Sequence, residues 1–155
     1  MINHVAVVVR AERSEVRAKR NKAHNIELRV IDSTKPIKKL HNKADRVLID
    51  APCSGLGVLR RNPDSKWKLQ PEFIDNIKKT QQEVLQQYSK MVKPGGKLVY
   101  ATCSVLPSEN QEQVDNFLAS DSGKNFTFVS DQKILASISG FDGFYMALLK
   151  KNNDI

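Results

Sequence analysis

The only two cysteines of the chain stand in equivalent sequence contexts. Cys53 lies in LIDAPCSG (residues 48–55) and Cys103 lies in LVYATCSV (residues 98–105), so each thiol follows an apolar run and sits in a short polar segment. A lone cysteine in such a place is more often a small buried apolar residue than a reactive group. Two equivalent cysteines weaken that interpretation, because a thiolate is a strong nucleophile where neighbouring groups lower its pKa. Both thiols are therefore candidates for chemistry.

The residues around the cysteines include groups that can tune a thiolate. Asp50 and Thr102 precede the two thiols, and Ser54 and Ser108 are expected to stand before helix N-termini. Other catalytic patterns are missing from the sequence, which has no Cys-x-x-Cys pair, no phosphate-binding P-loop and no Gly-x-Ser-x-Gly motif. The three histidines are scattered in the N-terminal third, so the sequence predicts no metal site.

Strand-like and helix-like segments alternate along the chain. A long helix is predicted over residues 70–92, because Pro71 suits its first turn and apolar residues recur at near-helical spacing until the KPGG stop. Further helices are predicted over residues 14–23 and from an N-cap at Ser108 to about Ala119. The predicted strands are residues 5–9, 26–31, 46–49, 97–101, 125–129 and 144–149.

This alternation predicts an α/β fold with a mainly parallel sheet that ends in a C-terminal antiparallel hairpin. Such sheets bind their ligands at the carboxyl ends of the strands. Asp32, residues 50–53 and residues 102–103 all come directly after predicted strands. We therefore expect both thiols to face one crevice.

The composition is that of a folded protein, which we treat as one domain over residues 1–155. Hydrophobic residues make up 40% of the chain and charged residues 27%. No apolar run approaches the roughly 20 residues that a membrane-spanning helix needs, and the first residues do not resemble a signal peptide. The expected location is the cytoplasm, where cysteines remain free thiols and membranes and metals are not expected partners.

The chain is strongly basic, with a formal net charge of +8. Such a charge suits a polyanionic partner, and nucleic acid is the first candidate, although an ordinary basic surface has the same composition. Residues 60–67, RRNPDSKW, are predicted to form a loop that combines cations with Trp67. This mixture is typical of a surface that grips a nucleic-acid backbone, and it also occurs in polar loops anchored by one tryptophan.

The same motifs resemble the RNA cytosine-5 methyltransferases of the Sun (RsmB-like) type. DAPCSGLGVLRRNPDSKW is similar to that family's Pro-Cys motif and the loop after it, and KPGGKLVYATCSVLPSENQEQV is similar to its Thr-Cys motif with the following Pro-x-Glu-Asn. GFDGFYMALLKK resembles the closing strand, and RAKRNKAHNIELRVIDST resembles the segment that leads to an adenine-contacting Asp. The resemblance covers roughly residues 15–151 and implies a Rossmann-like class I methyltransferase fold.

The resemblance also implies a reaction: methylation of cytosine C5 in RNA, usually ribosomal RNA, with S-adenosylmethionine as cofactor. It implies that Cys103 attacks cytosine C6, that Cys53 assists elimination, and that Asp50 contacts the base. The target base would be extruded from any helix that contains it. The residues implied for binding are Asp32, Asp50 and Pro52 for the cofactor, and Arg60, Arg61 and Lys66 for RNA phosphates.

The sequence departs from the family at its N-terminal side. The first strand of the family and its glycine-rich cofactor loop have no counterpart, and residues 5–14 fit the family poorly. We therefore expect a truncated Rossmann-like domain with an incomplete cofactor site, doubtful activity on its own, and a place for a partner chain in the sheet. The strand over residues 5–9 has two possible positions, its family position or the slot of the absent first strand.

Three alternatives stay open at this point. The chain fits a non-catalytic RNA-binding remnant of such an enzyme, which keeps the basic surface. It also fits a thiol-redox protein in which Cys53 and Cys103 form a reversible disulfide. DNA cytosine-5 methyltransferases use the Pro-Cys cysteine as nucleophile and carry a Glu-Asn-Val motif. Here Glu109-Asn110-Gln111 follows the second cysteine instead, and Thr102-Cys103 favours the RNA class.

Overall fold

The computed structural model describes residues 5–8, 20–22 and 35–153. Three predictions fall outside this part of the chain. They are most of the helix over residues 14–23, the strand over residues 26–31, and Asp32 with its cofactor role.

The described elements follow the predicted alternation of strands and helices. The strands are β1 (Val5–Val8), β2 (Ala44–Asp50), β3 (Val92–Thr102), β4 (Phe126–Ile134) and β5 (Phe144–Lys151). The helices are α1 (Lys35–Lys39), α2 (Ser65–Lys68), α3 (Pro71–Tyr88), α4 (Gln111–Ala119) and α5 (Ala136–Ser139). Short 3-10 turns cover Leu56–Val58, Ser89–Met91 and Pro107–Glu109.

The strands form one sheet with the order β1-β2-β3-β5-β4. β1, β2 and β3 are parallel to one another, whereas β5 pairs antiparallel with both β3 and β4. The α/β class and the antiparallel C-terminal hairpin are confirmed. The expected mainly parallel sheet is found only among β1, β2 and β3. Nine residues separate β4 from β5, which is too few for a parallel crossover of a dozen or more residues, so these two strands pair antiparallel.

β1 lies directly beside β2, with Val5 paired to Arg46 and Val8 paired to Ile49. The family resemblance assigns this neighbour position to the family's first strand. Of the two positions considered for the strand over residues 5–9, the described structure has the one beside β2. A β2 strand without this neighbour would have an unpaired edge, and the apolar Val-Ala-Val-Val segment supplies hydrogen-bonding partners for it.

Rows of apolar side chains cross the sheet and form the core. One row joins Val47, Leu98 and Leu149, and the next joins Ile49, Tyr100 and Ala147. All six are buried, as are Leu85 of α3 and Phe117 of α4 in the same cluster. Helix α3 packs against α4 and β2, so it approaches the sheet close to the strand that leads to Cys53.

Two boundary predictions are wrong at the ends of α3 and β3. Helix α3 ends at Tyr88, and the 93–96 KPGG segment is part of β3 instead of only stopping the helix. Ala44 pairs with Val92 and Arg46 pairs with Lys97, so β3 contains extra residues in a bulge. Gly95 permits this bulge because it adopts a φ of +74°, which favours glycine.

Two local predictions around the second helix and the basic loop also need correction. Ser108 is not an N-cap, because it lies inside the 3-10 turn Pro107–Glu109 and α4 begins only at Gln111. The predicted loop over residues 60–67 contains the start of the short helix α2. Among the described residues, none of the helices has the length and apolar character to cross a membrane.

Candidate active site

The two cysteine segments leave neighbouring strands at the same edge of the sheet. Asp50 at the end of β2 pairs with Ala101 of β3, and the Ala51 backbone N–H donates to the Ala101 carbonyl oxygen at 2.9 Å. This parallel register places Cys53 and Cys103 side by side, with 3.2 Å between their Sγ atoms. Both thiols are free and half-buried. The two thiols therefore lie together at this edge of the sheet, and the crevice that they are expected to face stays a prediction.

The contact between the sulfurs makes the two thiols unequal. The hydrogen bond from the Cys53 thiol lowers the pKa of Cys103 to about 7. The same hydrogen bond, followed by burial, raises the pKa of Cys53 well above its ordinary range. The two thiols share this hydrogen bond and titrate as a pair. The lowered pKa of Cys103 agrees with the prediction that Cys103 is the nucleophile, which stays a prediction.

The groups expected to tune the thiolate have different relations to Cys103 in the structure. The negative charge of Asp50 opposes ionisation of Cys103, so it raises the pKa of that thiol. The Thr102 hydroxyl donates to Asn110 Oδ1 at 2.5 Å and is turned away from a role at the sulfur. The segment after Ser54 forms only a 3-10 turn over Leu56–Val58. The partner thiol, which the sequence reasoning had not assigned this role, has the largest effect.

A buried carboxylate joins the two cysteine segments. Glu109 is fully buried, and its Oε2 accepts hydrogen bonds from the hydroxyls of Ser54, at 2.5 Å, and Ser104. Its Oε1 accepts the Ser54 backbone N–H at 2.8 Å and Nε2 of Gln81 at 3.1 Å. Ser54 follows Cys53 and Ser104 follows Cys103, so one side chain contacts the neighbours of both thiols.

Gln81 and Asn110 complete this polar network, which the sequence reasoning missed. Nε2 of Gln81 also donates to the Pro52 carbonyl at 2.8 Å, and Nδ2 of Asn110 donates to the Ser104 carbonyl at 3.0 Å. The sequence does contain a signal for Gln81. It stands among the apolar residues of α3 at the spacing of its buried face, and a fully buried amide requires polar partners.

Gly57 allows a close approach beside Cys103. Its backbone N–H donates to the Cys103 carbonyl at 2.9 Å, and its own carbonyl accepts the Gly143 N–H at 2.8 Å. A Cβ atom at Gly57 would lie 2.1 Å from the Gly143 carbonyl oxygen and 2.7 Å from that of Cys103, so no larger residue fits without movement. The segments that contain Gly57, Gly143 and Cys103 therefore meet at this glycine.

The residues implied for the cofactor and the RNA are only partly placed by the described structure. Asp50 is exposed and Pro52 half-buried, both at the carboxyl end of β2, while Asp32 lies outside the described residues. Arg60 donates to the Gly140 carbonyl at 3.1 Å, and Arg61 forms a 2.5 Å ion pair with Asp142.

Lys66 lies 4.7 Å from the ring centroid of Trp67, whose side chain is 77% exposed. The Lys66 ammonium group therefore lies over the Trp67 ring at the protein surface, in a cation–π contact. Within the described part of the chain, no group of three or more His, Cys, Asp or Glu side chains is arranged to hold a metal ion.

The fold is that of the Rossmann-like methyltransferases, and comparisons with solved structures agree. The crystal structure of PH0851 matches 96% of this chain at 28% identity with a TM-score of 0.84, and this chain covers 37% of it. The crystal structure of NSun6 from Pyrococcus horikoshii with SFG matches 98% of this chain at 25% identity with a TM-score of 0.78, and 42% of that protein is covered.

Sequence comparisons identify the family. The family model for 16S rRNA methyltransferase RsmB/F matches residues 1–150, and the chain belongs to this family. It is 42% identical over 134 residues to the ribosomal RNA small subunit methyltransferase B of Pasteurella multocida, covering 77% of this chain and 30% of the relative. The protein of the same name from Shewanella oneidensis is 41% identical over 115 residues, covering 69% and 27%. The chain thus spans less than a third of the length of these curated relatives.

Proposed function

We propose that this chain carries the nucleophile of an S-adenosylmethionine-dependent RNA methyltransferase that acts on C5 of cytosine, with ribosomal RNA as the substrate. The observation that carries the proposal is the 3.2 Å contact between the two sulfurs, since a hydrogen bond from Cys53 lowers the pKa of Cys103. Membership of the RsmB/F family supports the substrate class, and the relatives named ribosomal RNA small subunit methyltransferase B support ribosomal RNA.

The proposed reaction needs a nucleophile because C5 of cytosine does not react readily by itself. The Cys103 sulfur forms a bond to C6, and the electrons of the 5,6 double bond then make C5 able to accept a methyl group. After methylation the C5 proton leaves to a base, the bond between sulfur and C6 breaks, and the double bond returns. The thiolate of Cys103 is both the attacking group and the leaving group.

The environment of Cys53 supports a role in the second half of this reaction. Its pKa is raised first of all by the hydrogen bond to Cys103. Once the Cys103 sulfur is bonded to carbon, it is a neutral thioether and no longer an anionic acceptor. The pKa of Cys53 then falls, so Cys53 can lose its own proton to solvent and, as a thiolate, take up the C5 proton when that proton must leave.

The described residues offer one edge of a cofactor site. The Asp50 carboxylate is exposed at the carboxyl end of β2, the end of parallel strands where nucleotides bind, and it provides hydrogen-bond acceptors there. Asp50 and Pro52 fit such a group at this edge, and Asp32 is proposed for its adenine on the resemblance alone. When bound, S-adenosylmethionine supplies the electrophilic methyl group. A partner chain that pairs with the sheet, and a cytoplasmic location, stay predictions.

The RNA contacts are proposed on charge and exposure. Arg60, Arg61 and Lys66 lie on the segment that follows the Cys53 loop, and Gly57 of this segment bonds to the Cys103 carbonyl. Cations on a segment that is hydrogen-bonded to the Cys103 loop suit the phosphates that flank a target cytosine. The exposed Trp67 ring offers a stacking surface for a neighbouring base.

A covalent trapping experiment tests the proposal. Incubating the protein with S-adenosylmethionine and a ribosomal RNA fragment that contains 5-fluorocytosine should give an adduct that survives a denaturing gel, because fluorine at C5 blocks the elimination step. Cys103→Ser should abolish the adduct and leave RNA affinity unchanged. Calorimetric titration with S-adenosylmethionine, after a cooperative melt shows a folded protein, tests the cofactor separately.

Two other functions give different results in the same experiment. RNA binding without an adduct, and without cofactor binding, would favour the RNA-binding remnant. The short distance between the sulfurs also favours a second candidate, a thiol-redox protein. This candidate predicts that mild oxidation with a disulfide reagent converts both thiols to a disulfide that dithiothreitol reverses, with no adduct on RNA.

A further inference from the structure

The contact between the two thiols depends on the relative position of two separate loops. Cys53 belongs to the loop after β2 and Cys103 to the loop after β3, fifty positions apart in the sequence. The strand pairing fixes the loops only as far as the hydrogen bond between Ala51 and Ala101. Beyond that point, the Gly57 N–H of the Cys53 loop donates to the Cys103 carbonyl at 2.9 Å, and the side chain of one buried residue, Glu109, contacts both loops directly beside the thiols.

We propose that Glu109 is a positioning residue, whose carboxylate fixes the distance between the Cys53 loop and the Cys103 loop. One carboxylate oxygen accepts the hydroxyls of both Ser54 and Ser104, and the two hydroxyl oxygens are themselves 3.2 Å apart. The other oxygen accepts the Ser54 N–H and the Gln81 amide, which also holds the Pro52 carbonyl. The proposal concerns the site of the proposed function but depends only on the thiol pair.

The position of Glu109 is itself fixed by hydrogen bonds that join it and the next residue to β3 and to the segment after it. Its backbone carbonyl accepts the Tyr100 hydroxyl at 2.8 Å, and Tyr100 is a fully buried residue of β3. The next residue, Asn110, accepts the Thr102 hydroxyl and donates to the Ser104 carbonyl. Glu109 is therefore anchored to β3, and from there its side chain reaches across to Ser54. A shift of this carboxylate moves the Cys53 loop relative to Cys103.

The charge and the position of Glu109 have opposite effects on the thiol pair. Its negative charge is one of the influences that raise the pKa of Cys103. Removal of the charge alone would therefore lower that pKa further. Loss of the fixed position would separate the sulfurs and weaken the hydrogen bond from Cys53, so the pKa of Cys103 would rise towards that of an ordinary cysteine. The direction in which the pKa of Cys103 changes therefore distinguishes an electrostatic role of Glu109 from a positioning role.

The pH dependence of iodoacetamide labelling at Cys103, followed by peptide mass spectrometry, measures this sign. Glu109→Gln keeps the volume and removes the charge, whereas Glu109→Asp keeps the charge and shortens the reach by one methylene. We expect both variants to shift the labelling midpoint of Cys103 upwards by about one pH unit. The midpoint should then lie between about 7, the pKa of Cys103 in the native chain, and about 8.5, the pKa of a free cysteine. Glu112→Gln, an exposed change in the first turn of α4, is the matched control and should leave the midpoint in place.

Every outcome decides the proposal. A midpoint that falls in Glu109→Gln and stays in Glu109→Asp would show an electrostatic role, and an unmoved midpoint with a lower melting temperature would show a purely structural one. Either result overturns the positioning role.

If both variants fail to fold, Ser54→Ala and Ser104→Ala each remove one hydroxyl donor to the carboxylate. An upward shift in these variants supports the proposal, and an unmoved midpoint in both refutes it. None of these labelling measurements requires methyl transfer, so a result that refutes the positioning role of Glu109 is distinct from a result that refutes the proposed function.

Discussion

Replacing Cys53 by alanine should raise the pKa of the remaining thiol. The hydrogen bond from Cys53 is the largest influence that lowers the pKa of Cys103 to about 7, and the substitution removes this donor. The influences that remain include burial and the charge of Asp50, and both raise the pKa. We therefore expect the labelling midpoint of Cys103 to move from about 7 to about 8.5 or higher, the value of a cysteine without such a partner.

The size of the effect depends on what is measured. At pH 7 about half of the Cys103 thiols are ionised in the native chain, and about 3% would be ionised with a pKa of 8.5, a ratio of about 16. A thiolate of higher pKa is also more nucleophilic, by about fivefold for this difference at a Brønsted slope of about 0.4–0.5. The labelling rate at pH 7 should therefore fall only about threefold, so the midpoint is the quantity to determine.

The chain makes this assay unusually clean, because each single variant contains one cysteine. Iodoacetamide labelling of Cys53→Ala reports only Cys103, and labelling of the matched variant Cys103→Ala reports only Cys53. Burial also raises the pKa of Cys53, so its midpoint in that variant should lie above the ordinary value of about 8.5. A Cys103 midpoint that stays near 7 without Cys53, or a Cys53 midpoint near 7 without Cys103, would refute the assignment of donor and acceptor.

Three further substitutions test the surroundings of the thiol pair. Tyr100→Phe removes the hydroxyl that donates to the Glu109 carbonyl. The free energy of unfolding in urea should fall by about 1–2 kcal/mol, and an unchanged urea midpoint would contradict this. Gly57→Ala places a Cβ 2.1 Å from the Gly143 carbonyl oxygen and should cost about 1–3 kcal/mol, whereas a melting temperature equal to the native one would show that the loops separate freely. Trp67→Ala should weaken RNA binding by about 1–3 kcal/mol in a filter-binding titration with little change in stability, and equal affinity would exclude the stacking role.

The alternation of elements was predictable because it depends on local patterns. Apolar runs with short polar ends located β2 and β3 within a few residues, and helical spacing located α3. The errors lie where local signals compete. Gly95 and Gly96 indicate the end of a helix in the sequence, whereas in the folded chain they form a bulge inside β3. Ser108 has the side chain of an N-cap but lies inside a 3-10 turn.

Part of the candidate site also followed from the sequence alone. The carboxyl ends of parallel strands meet at one edge of a sheet, so the positions of Cys53 and Cys103 after two apolar runs were enough to predict that both thiols face one crevice. The family resemblance further implied Cys103 as the nucleophile, which stays a prediction. The distance between the sulfurs does not follow from the sequence, because it depends on which strands are neighbours and in which register they pair.

The sequence by itself determined the element types, the basic charge and the position of each thiol at a strand end. Only the tertiary structure decided that β1 lies beside β2, that the sulfurs touch, and that Glu109 joins both loops. The physical reason is the range of the interactions. Propensity and periodicity act within a few residues, whereas the pairing of β2 with β3 joins segments about fifty positions apart. The same pairing gives Cys53 and Cys103 different pKa values, although their local sequences are alike.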